Sequence, residues 1–168
     1  MKLVEIDKAR YRKHLNIVFV GMAAFTLVIA LGTSALLIHF FSTPEQSHFA
    51  HNLIGVVIAA AIVVYALLKL REHPFMKEVV YVWDLKQILN RIHRKQRKLQ
   101  SAVEANDHDA LIIMNYQYRG SKHLYQLDDN TITIDELVNK IFVHDKLLEA
   151  AGLTTSTDTF STSMLDKF

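Results

Sequence analysis

The chain has no cysteine. That excludes a disulfide framework, a thiolate nucleophile and any cysteine-ligated zinc site. Two stretches, Leu15–Phe41 and Leu53–Leu68, contain no Lys, Arg, Asp or Glu at all. No stretch alternates apolar and polar residues for any length, and no internal repeat is present. Strand-based folds and solenoids are therefore disfavoured, and the chain reads as all-α. Ser-His-Asp elbows, glycine-rich phosphate loops and His-Glu-x-x-His are absent too, so the sequence supports no enzymatic activity and implies no cofactor.

What remains is dominated by the two uncharged runs. At about 1.5 Å per residue, Leu15–Phe41 reaches about 40 Å and Leu53–Leu68 about 24 Å, against a hydrocarbon core of about 30 Å. The second becomes adequate once Asn52 and the stem of Lys69 are counted at its ends. A soluble core helix seldom runs this far without a charge. The pair therefore predicts a two-helix transmembrane hairpin over residues 15–70.

Orientation follows from the flanks. Lys2, Lys8, Arg10, Arg12 and Lys13 precede the first run, and Lys69, Arg71 and Lys77 follow the second. The connection 42–52 has neither Lys nor Arg. Basic residues are retained on the cytoplasmic side, so the basic N-terminus 1–14 and everything after the hairpin are expected to be cytoplasmic, with 42–52 as a short external loop. A cleaved signal peptide would have a shorter apolar stretch and a small-x-small cleavage site, whereas this run ends in Ile38-His39-Phe40-Phe41. No ionisable group lies at mid-membrane, which argues against an ion pathway. Gly55 and Ala59, four apart, make a small-residue stripe for close helix contact, either inside the hairpin or between copies of the chain.

Net charge is +2, and that figure hides a split. Residues 1–100 hold 14 Lys and Arg against 6 Asp and Glu, or +8, and residues 101–168 hold 5 against 11, or −6. Such halves either attract each other or present a basic end to anionic lipid.

Residues 71–153 read as a cytoplasmic antiparallel three-helix bundle. Pro74 is placed to open a helix at its first turn, and neither Gly nor Pro interrupts 75–104. Leu85, Leu89, Ile92, Gln96, Leu99 and Val103 form one seam with a single polar break, predicting a continuous helix to about Glu104. Asn106-Asp107 supplies a stop and the next N-cap. The second helix, His108 to Leu127, carries two seams, Leu111/Met114/Tyr118/Ser121/Tyr125 and Ile113/Tyr116/Gly120/Leu124/Leu127. Such a helix packs between two neighbours. Thr133-Ile134-Asp135-Glu136 is a capping box, and the third helix runs to about Ala151 before Gly152 ends it. The Thr- and Ser-rich tail 154–168 is expected to be loosely held.

Arg91, Arg94, Lys95 and Lys98 fall at i, i+3, i+4 and i+7, with Arg97 beside them, so they form one basic stripe. Three fates are open to it: lipid headgroups, a partner, or pairing with the acidic third helix through Asp135, Glu136, Asp145 and Glu149. Pairing is favoured, because residues 91–98 lie about 25–35 Å along the helix from Phe75, away from the bilayer. Nucleic acid is disfavoured, since no aromatic platform accompanies the stripe. Asp128, Asp129, Asn130 and Asp135 fail the calcium-loop pattern and are explained by turn and cap chemistry. His48 and His51, with His39 and Glu45 nearby, are better read as interfacial histidines than as a metal site. Arg119-Gly120-Ser121-Lys122 lacks the first half of a phosphate loop and lies mid-helix.

The stretch His73-Pro74-Phe75-Met76, followed by Glu78-Val79-Val80-Tyr81-Val82-Trp83 and Leu85-Lys86-Gln87, resembles a bacterial membrane-protein family known as domain of unknown function 3087. Tyr118-Arg119-Gly120-Ser121 and Leu127-Asp128-Asp129-Asn130-Thr131-Ile132-Thr133 are similar as well, and so is the start Arg10-Tyr11-Arg12-Lys13-His14-Leu15-Asn16. The resemblance implies a small bacterial inner-membrane protein with two spans, and no activity. Together these features lead us to expect a non-enzymatic, membrane-tethered interaction or accessory module. Its expected partners are the bilayer, a membrane or cytoplasmic protein, and a second copy of itself. The alternative is a subunit of a small oligomeric channel or transporter, assembled through Gly55 and Ala59.

Overall fold

A computed structural model describes residues 2–41, 47–130 and 134–168. Its described residues are helical, with no strand among them, in the order α1 (Lys8–Phe41), α2 (Phe49–Leu70), α3 (Lys77–Arg94), α4 (Gln96–Glu104), α5 (His108–Leu127) and α6 (Ile134–Ala150). Short 3₁₀ turns occupy Pro74–Met76, Thr157–Thr159 and Thr162–Lys167. The chain divides into two units, Ala9–Val79 and Met1–Lys8 with Val80–Phe168.

In the first unit α1 and α2 are both long and apolar enough to cross a membrane. Helix α1 begins at Lys8, well before the uncharged run, because Lys, Arg and Tyr continue a helix and no Gly or Pro stops it. The two helices touch through small and polar side chains. The Ser34 hydroxyl donates to Asn52 Oδ1, and Ala59 is fully buried. Elsewhere the apolar side chains face outward: Phe19 is 75% exposed, Val28 70% and Val57 60%. Near the start of α1, Arg10 Nε lies 3.1 Å from Glu78 Oε1, and the His14 ring stacks on Phe75 at 4.0 Å. Pro74 opens a 3₁₀ turn, whose Phe75 N–H is capped by His73 Nδ1 at 3.2 Å.

In the second unit α5 is the central element. Helices α4 and α6 and both C-terminal 3₁₀ turns pack on it. Its buried face is Ala110, Leu111, Ile113, Met114, Tyr116, Leu124 and Leu127. The seam through Ile113, Tyr116, Gly120, Leu124 and Leu127 is buried along its whole length, and the other only at Leu111 and Met114. Gly120 lets α3 come close: a Cβ there would stand 3.0 Å from Leu89 Cδ2 and 3.5 Å from Leu85 Cδ1.

Local chemistry sets the ends. The Asp107 carboxylate accepts the Ala110 N–H at 3.0 Å as the α5 N-cap. Gly152, at φ 68°, closes α6 while Leu153 N–H returns to the Leu148 carbonyl at 2.8 Å. Thr133 of the expected capping box lies outside the described residues, as does the 42–46 part of the expected loop.

Two expectations need correction. The helix expected to be continuous from Phe75 to Glu104 breaks at Lys95, whose N–H bonds back to Ile92 at 2.9 Å while its carbonyl accepts from Leu99 at 3.0 Å. The break falls one residue before Gln96, the polar interruption of the seam, and leaves both Ile92 and Leu99 fully buried. The tail 154–168, expected to be loose, folds back on the unit. Leu165 is fully buried, and Phe160 stacks on Tyr116 with ring centroids 4.0 Å apart. These two large apolar side chains carry the segment.

Candidate functional site

The break at Lys95 bends the basic stripe into an elbow. Arg91 and Arg94 end α3, Lys95 sits at the turn, and Arg97 and Lys98 occupy the first turn of α4. The tail closes one side. Lys95 Nζ donates to the Leu165 carbonyl at 2.7 Å and Lys98 Nζ to the main-chain oxygen of Phe168 at 2.6 Å. Between them lies an open cleft of about 930 Å³, lined by residues 93–98, Gln100 and Phe168. No Asp or Glu contributes to that lining among the described residues.

The expected pairing of this stripe with α6 is not formed. Asp145 of α6 is held by Arg119 of α5 at 2.6 Å, and Glu136 by Lys140 of its own helix at 2.6 Å. Arg119 reaches Asp145 because its Nε is already fixed by Asn115 Oδ1 at 2.8 Å. Asn115, 2% exposed, in turn donates to the Thr155 carbonyl at 3.0 Å. Asp145 is thus drawn to α5 and Glu136 to its own helix, and the elbow keeps its positive charge.

A second tail contact lies beyond the elbow. Lys167 Nζ bridges Asp107 Oδ2 at 2.7 Å and Asp109 Oδ2 at 3.0 Å. The Lys167 ammonium, followed by the Ala110 N–H, holds the Asp107 carboxyl below its usual range. On α6, His144 is buried, and its Nε2 donates to the Leu111 carbonyl at 2.8 Å. Burial lowers its pKa against the opposing pull of that hydrogen bond. Burial likewise raises the Tyr116 and Tyr118 hydroxyls.

Residues 2–8 pack on the same unit. Val4 N–H donates to the Tyr81 hydroxyl at 2.8 Å, Lys2 pairs with Asp158 at 3.2 Å, and Lys8 with Asp129. Tyr81 meets His123 edge-on at 6.0 Å, and burial lowers the His123 pKa.

The other residues singled out by sequence are dispersed. Gly55 is filled by its own chain: a Cβ there would stand 2.9 Å from the Ala30 carbonyl oxygen and 3.1 Å from Ser34 N. The Gly55/Ala59 stripe therefore lies at the α1–α2 contact, with Gly55 facing Ala30 and Ser34 of its own chain. Asp128 pairs with Lys86 at 2.9 Å, so the turn acids serve charge pairing within the unit. His39 ends α1 and His51 lies in the first turn of α2. Sequence analysis missed Asn115, Lys167 and the docked tail. Their one legible signal was Phe160, Leu165 and Phe168, apolar side chains placed in an otherwise Ser- and Thr-rich segment.

A family model described as a protein of unknown function, DUF3087, matches residues 1–165. No curated protein and no solved structure matches the chain.

Proposed function

The chain belongs to the DUF3087 family of proteins of unknown function, and from its two apolar helices we propose that it is a non-enzymatic, membrane-tethered interaction or accessory module. The observation that carries this reading is the outward-facing apolar surface of α1 and α2. Phe19, Val20, Leu27, Val28 and Leu31 on α1 and Val57 and Val64 on α2 are all more than half exposed. In water so large an apolar surface is unfavourable by roughly 25 cal/mol per Å², and a bilayer covers it.

In this proposal the hairpin is multi-pass in a bacterial inner membrane, with 42–52 outside and both ends cytoplasmic. Lys and Arg before α1 and after α2, and none in 42–52, support that orientation. The unit after the hairpin is an antiparallel three-helix bundle of α3–α4, α5 and α6, with the tail as a clasp. On α6, Phe142 and Val143 are 61% and 60% exposed, an apolar face of the sort a protein partner covers.

Topology is tested with single cysteines at Ser47 and Ser101, because the chain has no other cysteine. Impermeant maleimide should label Ser47→Cys in intact cells and Ser101→Cys only after permeabilisation. The reverse pattern would overturn the orientation. Crosslinking from native membranes should then capture a defined partner through the helical unit; Phe142→Ser should reduce that capture without changing membrane insertion.

A further inference from the structure

We propose that the elbow between α3 and α4 is a binding site for a multivalent phosphate-bearing anion. His93, Arg94, Lys95, Arg97 and Lys98 line the cleft together with Phe168. Arg94, Lys95, Arg97 and Lys98 outnumber the single terminal carboxylate of Phe168, since the lining has no acidic side chain among the described residues, and Asp145 and Glu136 of α6 are engaged elsewhere. Lys95 is satisfied by the neutral Leu165 carbonyl and Lys98 by the main-chain oxygen of Phe168. An ammonium has three N–H donors, so each lysine keeps two for a ligand while the tail holds its position. That fixation lowers the ordering cost of binding.

The guanidinium groups of Arg94 and Arg97 make no hydrogen bond or ion pair among the described residues, and their planar forks match phosphate oxygens in pairs. The amino end of α4, without a side-chain cap at Lys95, opens into the same cleft. The carboxyl end of α3 offsets its dipole, so the side-chain cations carry the attraction. Concavity matters as well. A straight stripe would spread its charge over a convex helix, whereas the bend turns several cations toward one space and focuses their field. At about 930 Å³ the cleft exceeds a single phosphate and suits a ligand from a short polyphosphate to a phosphorylated headgroup or mononucleotide. Because the site lies wholly within 93–168, it stands or falls separately from the membrane proposal.

The test uses the full chain in nanodiscs, with inorganic tripolyphosphate as probe and amide exchange of 93–98 as readout. In phosphatidylcholine discs, tripolyphosphate should bind saturably, more weakly as salt is raised, and slow exchange across 93–98. The double variant R94Q/R97Q should weaken binding at least tenfold with helical content unchanged, since neither side chain supports the fold. The variant K140Q/K146Q, which removes two lysines outside the cleft, should bind like the original. Slowed exchange in phosphatidylglycerol discs without added anion would assign lipid headgroups as the source; slowing only with tripolyphosphate would assign a soluble ligand. Absence of slowing in both discs would overturn the site. So would equal binding by R94Q/R97Q, or equal loss in K140Q/K146Q.

Discussion

His144 shows how a single side chain ties packing to solution conditions. Its imidazole lies between α5 and α6, edge-on to Tyr118 at 5.4 Å, with Nε2 donating to the Leu111 carbonyl. Desolvation disfavours the charged ring, so its folded pKa lies below the ordinary value of about 6.5. Above that value the ring is neutral in both states, and its contribution is fully present. As pH falls through the window between the unfolded and the lowered folded value, the unfolded chain takes up a proton that the native one resists, and stability declines. His123, lowered by burial as well, adds to the same decline. Thermal melts of the chain in detergent should therefore fall between pH 7.5 and 5.5, and His144→Gln should lower the melt at pH 7.5 while flattening that slope. An unchanged slope would remove His144 as its source. Gly55 is the opposite kind of residue, important for what it lacks. Even one methyl group would meet the α1 backbone at Ala30.

At the scale of elements, the tail is the segment whose role changed most between sequence and structure. Phe160 is buried against Tyr116, and Phe→Ala at such a site costs about 3 kcal/mol or more. Phe160→Ala should lower the melt of the helical unit and speed amide exchange over 154–168, with α1 and α2 unaffected. Unaltered exchange in the tail would show that Leu165 alone suffices to hold it. Such docking is hard to read in advance, because two apolar residues among serines and threonines have no periodicity. The tail's partners on α5, Tyr116 for Phe160 and Asn115 for the Thr155 carbonyl, stand about forty residues away. The break at Lys95 was hidden for a similar reason. Residues 75–104 have no Gly or Pro, and the bend arises where Ile92 and Leu99 must both reach the core around Gln96. By contrast, α1, α2, α5 and α6, the Asp107 cap and the Gly152 stop were legible. Each follows from local periodicity or from a residue with one characteristic backbone role. The basic residues of the elbow were equally visible, but their partners were not. Which acid satisfies which base depended on Arg119, poised by Asn115.

For the whole molecule, the notable fact is that residues 2–8 belong with 80–168. Lys2, Val4 and Lys8 reach Asp158, Tyr81 and Asp129 respectively. Deleting residues 2–6 should leave α1 and α2 helical, while exchange accelerates around Tyr81 and along 118–127. The two ion pairs are exposed, so each contributes only about 0–1 kcal/mol and the Val4–Tyr81 bond should dominate. If 118–127 exchanges at its original rate, the segment merely lies against the unit without bracing it.

That arrangement has a consequence for the order of biosynthesis. Lys2 and Asp158 are separated by 156 positions, so Lys2 is made long before the residue it pairs with. At about 5–20 residues per second, translation leaves Lys2 without its partner for roughly 8–30 s, time in which two long apolar segments emerge. Completion of the helical unit is therefore a late, long-range closure. A ribosome stalled before Asp158 would carry a chain whose residues 2–8 lack one of their partners and remain open to a chaperone or a protease.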